Sequence, residues 1–91
     1  MFDTLDEAIR AALAFLNELK TPTMPNGKAP VTHKDWLNWH RIMAARADGN
    51  RSRLSSNILQ GDAEEVTEGR ALQEELLAVA QHNRAEAEKH L

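Results

Sequence analysis

Apolar residues recur at three- and four-residue spacing in three stretches of this chain. Leu5, Ile9, Ala12, Leu13, Leu16 and Leu19 form the first stripe, widened by Ala8, Ala11 and Phe15. Trp36, Trp39 or His40, Met43, Ala47, Leu54 and Ile58 form the second. Val66, Gly69, Leu72 or Gln73, Leu76, Val79 or Ala80, Asn83 and Ala87 form the third. Such spacing marks one face of an α-helix. The pattern predicts an all-α fold, with helix 1 over about 5–20, helix 2 over about 33–60 and helix 3 over about 63–90, in a single domain of residues 1–91.

The punctuation agrees with the pattern. Thr4 with Glu7, Thr32 with Asp35, and Asp62 with Glu65 each place a capping residue three positions before a partner, as helix starts do. Residues 21–31 hold Pro22, Pro25, Pro30 and the turn signal Asn26-Gly27, so this stretch is a linker. Gly61 stops helix 2, and Asp62 starts helix 3 at once. Two helices of equal length around so short a hinge predict a long antiparallel hairpin. Helix 1 is expected to pack on it, or to exchange with a second copy, because a core of this size is thin and dimerisation would complete it. Asp48-Gly49-Asn50 is the weak point, since glycine inside a helix costs about 1 kcal/mol. The stripe resumes in phase at Leu54, so a continuous, at most kinked, helix is expected.

Composition narrows the classes of function. Ninety-one residues with no cysteine exclude disulfides, thiol catalysis and cysteine-bound zinc. The longest apolar run, Ala11–Leu16, is far short of the ~20 residues a membrane span needs, and the acidic residues Asp3, Asp6 and Glu7 argue against a targeting segment. A cytoplasmic protein without membrane contact is expected. Residues 32–60 carry five basic against two acidic side chains, and residues 61–91 carry three against eight. Side by side, the two arms attract and screen each other. Arg41, Arg46, Arg51 and Arg53 therefore make a poor phosphate-binding surface, and nucleic acid is not the expected partner.

Candidate chemistry is sparse. Ser52, Ser55 and Ser56 lack a nucleophile elbow and an oriented base, so no enzyme activity is expected. A turn at Gly61-Asp62 sets His40 opposite His82, with Glu86 one turn away, and brings His33 near His90. Imidazoles with a carboxylate suit a transition metal. No HExxH or ExxH motif accompanies them, so no metal or cofactor is expected; His40 and His82 are the candidate ligands the register offers. Trp36 and Trp39 share one helix face at the open end, flanked by Leu37 and His40. Tryptophan is enriched at binding hot spots, so Trp36, Leu37, Trp39 and His40 form the candidate partner-binding group. The competing expectation is that helix 1 covers both tryptophans. Asn50, Asn57 and Asn83 are expected to be inward-facing residues that fix register.

Trp36-x-x-Trp39, Arg53-Leu54, the Gly61-Asp62 hinge, Glu65-Val66, Gly69-Arg70-Ala71-Leu72 and Leu76-Leu77 together resemble small helical-hairpin proteins of tailed bacteriophages. The resemblance covers residues 33–79 and implies a phage origin, hence a bacterial host's cytoplasm, and nothing catalytic. The expected function is a non-enzymatic interaction or assembly protein that binds itself or another protein. The alternatives are an inhibitor or adaptor gripping a host protein through the Trp36/Trp39 end, and a nucleic-acid-binding accessory.

Overall fold

The computed structural model describes residues 4–91, so Asp3 of the acidic N-terminal stretch lies outside it. The described chain is all-helical: α1 spans Leu5–Glu18, α2 spans His33–Asn57, and α3 spans Ala63–Glu88, with a single 3-10 turn over Ile58–Gln60. Among the described residues no helix is long and apolar enough to cross a membrane.

Each helix starts where a side chain can satisfy its first free amides. Thr4 accepts from Glu7 N–H, while Thr32 with Asp35 and Asp62 with Glu65 form reciprocal capping boxes. α2 passes through Asp48-Gly49-Asn50 without a break. Gly49 points into open space. Asn50 bonds back to the Arg46 carbonyl, and Asp48 pairs with Arg84 of α3. Ala47 and Leu54 stay buried in one stripe across the glycine, and this packing offsets its low propensity.

α2 and α3 share the largest contact surface, and α1 packs on both. Contacts fall along α3 as they rise along α2. His33 meets His90, His40 meets Asn83, and a side chain at Gly69 would meet Ile58 and Leu54. Helices of this length are about 38 Å long, which sets the 44 Å long axis of the molecule. Leu54, Leu72, Leu76 and Ala80 fill the seam between them.

α1 closes the seam. Leu5, Ala8, Ile9, Ala12 and Phe15 are buried. Leu13, expected inside, is 46% exposed, because it lies about 100° around the helix from the centre of that stripe. Leu5 enters the hinge, where a Cβ at Gly61 would strike its Cδ2 and one at Gly69 would lie 3.5 Å from its Cδ1. The other end of α1 is held by Arg46 of α2, whose guanidinium lies 4.9 Å from the Phe15 ring centre and 2.7 Å from Glu18. The linker then turns at Pro25-Asn26, closed by Gly27 N–H donating to the Met24 carbonyl. Gly27 takes a φ of 84°, which side chains disfavour. Pro30 is buried just before the α2 cap.

Candidate functional site at the tryptophan–histidine end

The capping box at Thr32 determines the site. Asp35 accepts from the amides of Val31 and Thr32, while Thr32 accepts from Asp35 N–H at 3.0 Å. The Val31 and Thr32 amide bonds, in that order, hold the Asp35 carboxyl below its ordinary range. With the start of α2 pinned, His33, Trp36 and His40 fall three and four residues apart on one face. At the far end of α3, Lys89 closes the helix, and the following turn carries His90 back toward His33.

These side chains form a continuous aromatic cluster. Trp36 and Trp39 meet edge to face at 5.7 Å, and Trp39 meets His40 edge to face at 5.0 Å. His40 stacks on His90 at 5.8 Å with only 19° between planes. His33 and His90 approach through their Nδ1 atoms at 2.8 Å. One ring must carry the proton there and the other must accept it.

His40 is buried, and its Nδ1 lies 2.7 Å from Asn83 Oδ1. Asn83 Nδ2 donates to the Val79 carbonyl, so its oxygen is left to accept, and His40 Nδ1 carries the proton. That arrangement satisfies both buried polar residues. Among the described residues no buried side-chain nitrogen or oxygen lacks a partner. Asn50, Asn57 and Asn83 all donate to the carbonyl four residues earlier, a shared habit of asparagine inside these helices.

The structure keeps Trp36, Trp39 and His40 together but does not pair His40 with His82. The partner of His40 is Asn83, one position beyond His82, and His82 is exposed. The helical phase of α3 turns Asn83 and Ala87 inward and their neighbours outward. The Lys89 ammonium bonds Glu86 at 2.8 Å and holds that carboxyl below its ordinary range, with the nearby His82 and His40 adding to the effect. Among the described residues no three histidine, aspartate or glutamate side chains converge as a metal site. Trp39 and His40 are buried, whereas Trp36 and Leu37 are half-buried. Trp39 joins the core cluster that holds the buried face of α1, and Trp36 packs against the edge of that cluster. Trp39 still borders a cleft of about 310 Å³ with Asn17, Glu18, Thr21, Thr23, Met43 and Arg46.

Elsewhere the candidate groups are engaged in structure. Arg46 pairs with Glu18, and Arg84 pairs with Asp48. Ser56 donates to the Ser52 carbonyl, and Ser55 accepts from Gln73 at 2.6 Å. A second depression, of about 320 Å³, lies on the other side of the open end. Leu37, Ala87 and Leu91 supply its apolar floor, and Arg41, Arg84 and Glu88 surround it. The sequence pattern groups Leu37 with the tryptophans and does not point to its α3-side neighbours Ala87, Glu88 and Leu91. The inward phase of Asn83 and Ala87 was the available signal.

Set against protein-family models, curated proteins and solved structures, the chain finds no match.

Proposed function

We propose that this protein acts by binding protein rather than by catalysis, and that it docks through the open end of an antiparallel α2–α3 hairpin. The observation that supports this is the depression lined by Leu37, Ala87 and Leu91 and rimmed by Arg41, Arg84 and Glu88. An apolar floor with a charged rim of both signs is the layout of a protein interface. Val31 and Leu91 stand 81% and 82% exposed at this end, beside half-buried Trp36. Trp39 and His40 form a fixed support beneath them. A rigid support lowers the ordering cost of binding.

A second copy of the chain is the first partner to test, since self-association would add to a thin core. Sedimentation over a wide concentration range should show a dimer or higher species, and Leu37→Glu should shift it to monomer. A monomer at every concentration, with Trp36 shielded from a fluorescence quencher, would refute self-docking here. The resemblance to tailed-phage proteins fits an assembly component, or an inhibitor that engages a host protein through the same end. Neighbouring capsid, tail or anti-host genes distinguish the two.

A further inference from the structure

The two histidines at the extreme open end suggest a different chemistry, independent of the docking surface. His33 Nδ1 and His90 Nδ1 lie 2.8 Å apart, with ring centres at 5.1 Å and planes inclined by 46°. We propose that these two rings clamp a zinc-class divalent metal ion, joining the first residue of α2 to the turn that follows α3.

The two ring nitrogens already face each other across one short gap. In the metal-free pair that gap holds a shared proton. A metal ion would replace it, the displaced Nδ1 proton passing through solvent to Nε2 of the same ring, so that both imidazoles bind as neutral Nδ1 ligands with no net proton released. Two nitrogens on a tetrahedral zinc, each about 2.0–2.1 Å from the metal, sit about 3.3 Å apart. The rings need to separate by about half an ångström and to swing by roughly 35° each, out of their present line, so that both lone pairs aim at one point beside the N···N axis. His33 is exposed and free to make that adjustment.

His90 is held in place for the role. Its ring stacks on His40, which is anchored by Asn83 and braced by Trp39. Outer groups that orient a ligating imidazole raise the affinity of a site. No third protein ligand joins the pair among the described residues, so water completes the coordination. The site is then open and exchangeable. Imidazole pairs select zinc, nickel or copper, and not magnesium or calcium, which prefer oxygen. Because the ligands are 57 residues apart in sequence, binding ties the ends of both long helices together and stabilises the fold.

Tag-free protein titrated with zinc by calorimetry should bind one ion per chain. At free zinc tenfold above the dissociation constant, Tm should rise by about 5–10 °C, and magnesium should leave it unchanged. His33→Ala and His90→Ala should each abolish both responses, and His82→Ala should retain them. Substoichiometric copper should broaden the ring resonances of His33 and His90 before those of His82, in wild-type protein whose fold is not in question. Absence of saturable zinc binding, one ion per two chains, a Tm response that survives in both variants, or His82 broadening first would each overturn the clamp.

Discussion

The two ends of the α2–α3 pair are built on opposite principles. At the hinge, a Cβ at Gly61 would strike Leu5 and one at Gly69 would crowd Ile58, and Leu5 and Leu54 are fully buried. Contact there is apolar and close. At the open end, the contacts are ring faces, a buried His40–Asn83 bond and a histidine pair at the surface. The hinge end gains stability through excluded water and dense packing, which tolerate little change. The open end is held by directional bonds whose partners lie partly in solvent. Such an end can yield locally while the rest stays folded. A molecule that uses one end as a frame and presents the other to a ligand or partner would be divided in this way.

The comparison breaks first at the hinge. Leu54→Ala should cost about 2–5 kcal/mol in urea unfolding, because a fully buried leucine leaves a cavity. A cost under 1 kcal/mol would mean that the hinge is not the tight end. Gly61→Ala tests the same packing from the other side. Its methyl would meet Leu5, itself 1% exposed and unable to swing away, at about 1–3 kcal/mol. Combined with Leu5→Ala, the two losses should fail to add.

At the open end, Asn83→Ala leaves the His40 Nδ1 proton without its buried acceptor, at about 1–3 kcal/mol. Amide exchange should then accelerate near residues 33–40 and 83–90 before it does near 54–58. Simultaneous acceleration throughout would erase the distinction between the ends. Thr32→Ala removes the cap of α2 and should cost about 1 kcal/mol, with the same local signature.

The smallest effect is a pH dependence at Asp35. Amides of Val31 and Thr32 depress its folded pKa below the ordinary value of 3.8. Its contribution is therefore complete above the unfolded pKa and disappears as pH falls through the lower folded value. Wild type should exceed Asp35→Asn in urea midpoint at pH 5, and the gap should close toward pH 2. A gap that stays constant would place the cap's strength elsewhere.

The stripes that build the frame are visible in sequence, because burial in a helix repeats every 3.6 residues whatever the partner. Caps are visible for a related reason: Thr4, Thr32 and Asp62 each act on an amide three residues away. The site is less legible. His40 could face His82 or Asn83 according to a shift of one residue, and only the packed phase of α3 selects Asn83. The position of α1 is likewise decided by packing, since Leu13 and Phe15 are equally apolar in the string of letters and only Phe15 is inside.

What this chain determined by itself is local: helical periodicity, three capped starts, a proline-rich linker and a hinge at Gly61-Asp62. Short-range hydrogen bonds and side-chain spacing suffice for these. The tertiary structure alone decided which rings touch. His33 meeting His90, His40 stacked beneath it, and Leu37 sharing a hollow with Leu91 depend on rotation and sliding of one long helix against another. A slip of one residue along a helix turns a side chain by about 100°, so contacts between helices are fixed by the packing of the whole seam.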